Sequence, residues 1–168
     1  FRSPMVEDAQ ALVDFLRRVS AETDFLLRGA DDPVMPVKDE KRYIENNRES
    51  ETSAMVCCFV EEDGVWRHPA NCGVNYNPRR KIAHRASLGI SVLKEFWGLG
   101  IGTALMHEAE NIARGWGIKQ LELEFVEGNS RARALYEKCG FRIAGIHPDA
   151  FLMPDGSFCN EYLMIKKL

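Results

Sequence analysis

The sequence lacks the cysteine spacing that marks a zinc site or a disulfide framework. Its five cysteines are odd in number, and no two of them have C-x-x-C spacing. No apolar run approaches the roughly 20 residues that a membrane-spanning helix needs. The first residues, 1–4, lack the apolar core of a signal peptide. We therefore expect a cytoplasmic protein with reduced, mostly buried thiols, without a membrane partner and without a bound metal.

The chain also lacks an excess of charge of either sign. The formal net charge of -3 at pH 7 gives no general attraction to nucleic acid. The basic cluster at residues 79–81 and Arg85 is interpreted as a solvated hairpin tip. No repeat or Gly/Ser linker divides the 168 residues, and 45% hydrophobic residues are enough to bury a core. A single domain over residues 1–168 is predicted.

Hydrophobic periodicity predicts the order of the helices and strands. Helical spacing predicts four helices, at about residues 6–19, 39–48, 101–116 and 129–139. Apolar or alternating runs between turn signals predict six strands, at about residues 53–60, 71–76, 86–92, 121–125, 141–146 and 158–166. Hairpins come first and a β-α-β-α-β unit follows. That order predicts an α/β (α+β) fold with a mixed sheet and helices on both faces.

The most informative segment is glycine-rich and joins a predicted strand to a predicted helix. Gly98, Gly100 and Gly102 occupy every second position just before the helix, and Thr103 follows them. Glycines allow a tight turn and a close approach of backbone N–H groups to a ligand. A helix start adds unpaired donors and the positive end of the helix dipole. The segment therefore predicts a cradle for a phosphate or pyrophosphate.

Two other nucleotide-binding patterns can be tested by spacing. The dinucleotide fingerprint G-x-G-x-x-G requires a glycine at position 103, which is Thr103. The pattern G-x-x-x-x-G-K-[ST] is absent from the chain. Both patterns are disfavoured, and a tight packing turn without a ligand is the remaining alternative on this segment alone.

Two motifs resemble those of the GCN5-related N-acetyltransferases, the GNAT superfamily. The first, Q/R-x-x-G-x-G/A, falls on residues 97–102, with Trp97 where the family usually has Gln or Arg. The second, N-x-x-A-x-x-L-Y-x-x-x-G-F, is matched at Asn129, Ala132, Leu135, Tyr136, Gly140 and Phe141. The resemblance is specific over residues 86–141. It implies a mostly antiparallel sheet of six to seven strands, splayed in the middle.

The resemblance also implies acetyl-CoA as the acyl donor and direct transfer to an amine, without a metal. A backbone cradle does not need the side chain at position 97, so pyrophosphate binding is expected to survive the change to Trp97. The implied cofactor contacts are Ile90, Val92, Leu93, Trp97, Gly98, Leu99, Gly100, Ile101, Gly102, Thr103, Asn129, Ala132 and Tyr136.

Tyr136 matches the family tyrosine that protonates the leaving thiolate, although a core tyrosine would have the same helical spacing. Asn129 is expected to contact the pantetheine arm, to cap the helix, or to do both. A free backbone N–H at the splay, near Val92 and Leu93, is expected to polarise the acetyl carbonyl.

The general base and the acceptor are less determined. Glu124, His84 and Glu22 are the base candidates, and a chain of ordered water is an equal alternative. We place Glu22, Asp24 and His84 in the acceptor site and expect a small-molecule or peptide amine. Acidic loops in the regions that form this pocket favour a cationic amine; their residues are Glu22, Asp24, Asp31, Asp32, Asp149, Asp155 and Glu161.

Three functions are therefore compared: an active N-acetyltransferase, a coenzyme A-binding sensor without turnover, and a nucleotide-dependent oxidoreductase. The missing third glycine speaks against the last. A homodimer is an expectation based on the exposed strand edges of a splayed sheet.

Overall fold

The computed structural model describes all 168 residues. Two short 3-10 turns, at Val6–Asp8 and Lys94–Phe96, accompany four helices and six strands. The helices are α1 (Ala9–Glu22), α2 (Val37–Glu49), α3 (Ile101–Gly115) and α4 (Ser130–Lys138), and the strands are β1 (Ser53–Glu62), β2 (Val65–Tyr76), β3 (Arg85–Val92), β4 (Gln120–Val126), β5 (Arg142–Leu152) and β6 (Phe158–Lys167).

The six strands form one sheet in the order β1-β2-β3-β4-β6-β5. Only β3 and β4 are parallel, because α3 carries the chain back across the sheet between them. Every other neighbouring pair is antiparallel. The prediction of a mixed, mostly antiparallel sheet is confirmed.

Helices cover both faces of the sheet, as predicted. α1 and α2 pack on one face of β1, where Leu12 and Ile44 meet Met55 and Cys57. α3 and α4 lie on the other face, over the largest apolar cluster. In β3 and β4 the alternation read from the sequence is observed, with one set of side chains turned toward α3 and α4: Ala86, Leu88, Leu121, Leu123 and Phe125.

The sheet is splayed at its centre. β3 and β4 pair at only three positions, from Arg85 opposite Gln120 to Ser87 opposite Glu122. Beyond Ser87 the two strands no longer pair, although β3 stays paired with β2 as far as Val92. The gap therefore leaves one backbone edge of β3 without a partner strand.

Two predicted strand boundaries are wrong, each at a proline. β2 begins at Val65 rather than at residue 71, and it passes Pro69 through a bulge where the β1–β2 register shifts. β5 continues to Leu152 rather than ending at residue 146, and it passes Pro148 with a register shift at the sheet edge. An edge or a bulge is where a strand tolerates a residue without an N–H group.

All five cysteines are free thiols, and four of them are buried. Burial raises the pKa of the Cys57 and Cys72 thiols to about 12, so both remain protonated near neutral pH. Cys139, at the end of α4, is also buried, with a raised pKa from the same cause. No group of three or more His, Cys, Asp or Glu side chains is arranged to hold a metal ion. None of the helices has the length and apolar character needed to span a membrane.

Candidate active site

The gap between β3 and β4 opens into a cleft of about 1570 Å³. Four parts of the chain line it: the segment after α1, the end of β3 with the glycine segment, the end of β4 with α4, and the β5–β6 hairpin. The two sequence motifs therefore face each other across the cleft, on its β3–α3 and β4–α4 sides.

The glycine segment forms a turn that ends in the first residue of α3. Gly98 and Gly100 have φ angles of 79° and 83°, in the left-handed region that favours glycine. No side chain caps the helix at Gly100. The N–H groups of residues 101–103 thus lie in the first helical turn, where the helix offers them no carbonyl partner. A helix start of this kind favours a bound phosphate.

Most of the predicted cradle lines the cleft. The lining residues of this segment are Trp97, Gly98, Gly100, Ile101, Gly102 and Thr103. Leu99 is not among them, and its side chain is 68% exposed. The two residues that flank Leu99, Gly98 and Gly100, do line the cleft.

The edge of β3 presents backbone groups to the gap. The N–H of Leu93 donates to Pro69 O at 2.9 Å, which makes residues 93 and 69 a hydrogen-bonded pair of the antiparallel ladder. Hydrogen-bonded pairs alternate along such a ladder, so Ile90 and Val92 turn their N–H and C=O groups toward the gap. Trp97 Nε1–H donates to Val92 O at 2.8 Å, and the Val92 N–H faces the cleft.

Leu93, which was also expected to contact the cofactor, does not line the cleft. Its N–H is bonded to Pro69 O, and its carbonyl oxygen accepts from the N–H of Phe96. Its side chain is buried beside Phe15 and Val19 of α1. Leu93 therefore packs in the core and leaves no backbone group for a ligand.

The start of α4 forms the opposite wall. Asn129 caps this helix, because its Oδ1 accepts from the N–H of Ala132 at 3.1 Å. Asn129, Ala132 and Tyr136 line the cleft. α4 approaches α3 closely, since a methyl group added at Gly102 would lie 3.1 Å from Leu135 Cδ2.

Tyr136 enters the cleft from the α3–α4 face of the sheet. Its ring packs between Phe125 and Phe141, at centroid distances of 6.1 and 6.3 Å. Burial raises the pKa of its phenol to about 12, with a smaller contribution from Cys72, and no hydrogen bond contributes to that shift. The hydroxyl is therefore protonated near neutral pH and is available as a donor.

Glu124 reaches the same cleft from the opposite face of the sheet, because it alternates with the buried Leu123 and Phe125. Burial raises the pKa of its carboxyl group, and the charges of Glu161 and Glu122 raise it further. His147, whose Nδ1 lies 3.7 Å from Glu161 Oε2, opposes that shift. A carboxylate with a raised pKa is suited to accept a proton.

Of the predicted acceptor residues, two line the cleft and one does not. Glu22 and Asp24 line the cleft, and Glu22 Oε2 also accepts from the Lys94 N–H at 2.7 Å. His84 does not line it. His84 precedes β3 at the end opposite the glycine segment, and its carbonyl oxygen accepts from the N–H groups of Lys119 and Gln120.

Only one of the other acidic residues predicted for the acceptor pocket lines the cleft. Glu161 lines the cleft, whereas Asp31, Asp32, Asp149 and Asp155 do not.

Several lining residues were missed by the sequence interpretation. Phe25, Phe151 and Met153 add apolar side chains to the lining of the cleft. Arg131 lies over the ring of Trp97, with its guanidinium carbon 4.4 Å from the ring centroid. Arg131 falls within the second motif, but nothing in the sequence pairs it with Trp97.

Solved structures share this architecture. The acetyltransferase of GNAT family from Streptococcus pneumoniae matches with a TM-score of 0.90 and 28% identity, over 99% of this chain and 98% of that chain. YncA from Salmonella typhimurium, solved with its cofactor acetyl-CoA, matches with a TM-score of 0.82 over 99% and 92% of the chains. At 15% identity YncA supports the fold alone. The fold is that of the GNAT acetyltransferases.

Curated proteins are similar over shorter stretches. The L-amino acid N-acetyltransferase AaaT of Escherichia coli is 30% identical over 94 residues, which is 55% of this chain and 56% of AaaT. The mycothiol acetyltransferase of Beutenbergia cavernae is 47% identical over 51 residues, 30% of this chain and 17% of that protein. The matched stretches thus span about half or less of these relatives.

The sequence profile of the Acetyltransferase (GNAT) family matches residues 21–141, and the chain belongs to this family. The resemblance read from the two motifs is confirmed.

Proposed function

We propose that the protein transfers an acetyl group from acetyl-CoA to a primary amine of a small molecule or peptide by direct attack. One observation carries this proposal: Tyr136 and Glu124 enter a single gap in the sheet from opposite faces. The gap also lies beside a glycine turn of the kind that binds phosphates. The two faces of the sheet thus supply a hydroxyl donor and a carboxylate acceptor to the same cleft.

The residues of the cleft fit acetyl-CoA. The N–H groups of residues 101–103 would hold its pyrophosphate, and the free edge of β3 at Ile90 would hydrogen-bond an amide of its pantetheine arm. Asn129 and Ala132 would contact that arm from the other wall. When bound, acetyl-CoA supplies an acetyl group activated as a thioester.

The chain's own groups then handle charge and protons. An alkyl amine has a pKa of about 10, so it must lose a proton before it attacks. We assign that proton to the carboxylate of Glu124, directly or through water. The Val92 N–H would stabilise the negative charge that develops on the acetyl oxygen. The Tyr136 hydroxyl would donate to the departing sulfur.

The acceptor end of the cleft favours a cationic amine with an apolar part. Glu22, Asp24, Glu124 and Glu161 bring negative charge there, and Phe25, Phe151 and Met153 bring apolar surface. Opposite charges attract the acceptor into the cleft and orient it there.

The test is release of free thiol from acetyl-CoA with a panel of polyamines, amino acids, aminoglycosides and peptides. We expect release above the no-acceptor rate with at least one cationic class. Tyr136→Phe should lower kcat by about 100-fold or more, the usual range for a lost acid or base. Tyr76→Phe is the matched control, because Tyr76 packs on Trp116 away from the cleft.

Equal kcat for Tyr136→Phe and the wild-type protein would remove the acid from the mechanism. Tight binding of acetyl-CoA without release for any amine would favour the alternative of a sensor or regulatory module. Reaction with neutral or anionic amines alone would contradict the assigned acceptor class.

Three further expectations belong to this proposal. One N-acetyltransferase domain spans residues 1–168. The reaction takes place in the cytoplasm, where free thiols such as those of this chain persist. A homodimer stays a prediction, and light scattering of the purified protein would test it.

A further inference from the structure

A stacked pair of side chains stands beside the glycine turn, at the edge of the cleft. The guanidinium carbon of Arg131, in the first turn of α4, lies 4.4 Å from the centroid of the Trp97 ring. The ring is itself fixed, because Trp97 Nε1–H donates to Val92 O at 2.8 Å. Both residues line the cleft. A fixed indole ring attracts a cation over its face and holds it there.

Arg131 has no acidic partner. Arg133, two residues further along α4, pairs with Glu137 at 2.8 Å, and Arg18 pairs with Glu95 at 2.7 Å across the surface. No such ion pair involves Arg131, so its charge is not compensated by a carboxylate. Stacking on a ring leaves the N–H groups at the edge of a guanidinium free to donate.

A pyrophosphate needs more than the glycine turn provides. The N–H groups of residues 101–103 are dipoles, and the helix start contributes only about half an elementary charge. A pyrophosphate diester carries two negative charges. Trp97 directly precedes Gly98 in this turn, and the guanidinium group of Arg131 lies over the Trp97 ring. Arg131 therefore brings a full positive charge to the glycine turn.

We propose that Arg131, positioned by Trp97, binds the pyrophosphate of the coenzyme and supplies the full positive charge that the glycine turn lacks. The inference rests on the proposed function, since it requires that coenzyme A binds in this cleft. Arg131 acts on the ligand directly, and Trp97 is a positioning residue that fixes the guanidinium.

The test measures dissociation constants by titration calorimetry with three ligands: coenzyme A, dephospho-coenzyme A, which retains the pyrophosphate, and pantetheine, which has no phosphate. Arg131→Gln should raise Kd by about 10- to 100-fold for the first two, the usual value of a hydrogen bond to a charged group. Its Kd for pantetheine should match that of the wild-type protein. Added salt should weaken wild-type binding more than binding to the variant.

The controls separate charge from folding. Arg133→Gln removes a cation from the same helix, outside the cleft lining, and should leave all three dissociation constants unchanged. Trp97→Ala should raise Kd for both phosphate-bearing ligands by about 2- to 30-fold, the range of a cation–π contact, whereas Trp97→Phe keeps a ring under the guanidinium and should lose less. Combining Trp97→Ala with Arg131→Gln should add little to Arg131→Gln alone.

Three outcomes would overturn the inference. Equal affinity of Arg131→Gln and the wild-type protein for coenzyme A would remove the residue from the site. A loss for coenzyme A without a loss for dephospho-coenzyme A would show that the charge acts on the 3′-phosphate instead. A wild-type protein that binds none of the ligands would refute the proposed function, and this inference with it.

Discussion

Replacing Gly100 by Ala tests the geometry of the phosphate-binding turn. Gly100 has a φ of 83° and directly precedes α3. A residue with a Cβ is destabilised by about 1–2 kcal/mol in that left-handed backbone conformation. Space adds no cost, because a Cβ at Gly100 would meet no atom within 4 Å. We therefore expect the free energy of unfolding to fall by about 1–2 kcal/mol, and Tm to fall by roughly 2–8 °C in a chain of this size.

A turn that relaxes in the free protein would lose that 1–2 kcal/mol from cofactor binding instead of from stability. If the turn relaxes by rotating at Gly100, the N–H groups of the first turn of α3 no longer point together. The relieved 1–2 kcal/mol is then lost from affinity, which corresponds to roughly a 5- to 30-fold rise in the KM for acetyl-CoA. kcat at saturating acetyl-CoA should change much less, because Tyr136 and Glu124 lie on other elements.

Gly102→Ala is the matched control. Gly102 lies within α3, without a left-handed φ, and its added Cβ would lie 3.1 Å from the flexible end of Leu135. Alanine favours a helix by about 1 kcal/mol, which offsets the small shift of Leu135, so stability should stay within about 1 kcal/mol of wild type.

Thermal unfolding by circular dichroism and initial rates against acetyl-CoA concentration provide both readouts. A Gly100→Ala protein with both Tm and KM equal to those of wild type, or a Gly102→Ala protein that is destabilised more, would refute the reasoning.

The raised pKa of Glu124 and the lowered pKa of His68 each predict a pH dependence. Because the pKa of Glu124 is raised, wild-type kcat/KM should begin to fall, as pH decreases, at a pH above the usual carboxyl range. Glu124→Gln should be slower by about 100-fold or more and should lack that acidic limb of the profile. An unchanged acidic limb in the variant would refute the role of Glu124 as the base. His68 is buried against Phe15 and Phe59, with Nδ1 2.9 Å from Cys58 O, and burial lowers its pKa below 6.5. The unfolded chain therefore takes up the proton first, so stability present above pH 6.5 is lost as pH falls toward the folded pKa. Thermal unfolding from pH 7 to 5 should show a smaller decline for His68→Gln than for wild type, and parallel profiles would contradict this.

The elements that define the site could be predicted because local chemistry determines them. Glycine at alternate positions between a strand and a helix requires a sharp turn, and Gly98 and Gly100 adopt it. The spacing from Asn129 to Tyr136 positions both residues on the cleft side of α4. The alternation in β4 separates Glu124 from Leu123 and Phe125, as observed.

Other features of the site depend on tertiary contacts, which the hydrophobic periodicity of the sequence does not reveal. Leu93 and Val92 are adjacent in sequence, but the ladder to β2 uses the N–H of Leu93 and turns that of Val92 to the gap. His84 is close to β3 in sequence, yet the strand of eight residues separates it by about 26 Å from the glycine segment. Arg131 and Trp97 meet only because α4 packs beside the turn.

The short pairing between β3 and β4 also bears on how much folded protein a cell would hold. The two halves of the sheet are joined by three residue pairs, and a ligand with its own amides would add connections across the gap. A ligand that binds only the folded chain at 100 times its Kd stabilises it by about 2.7 kcal/mol. Turnover by proteases follows the population of opened molecules. The lifetime of this enzyme would therefore increase with the supply of its own acyl donor.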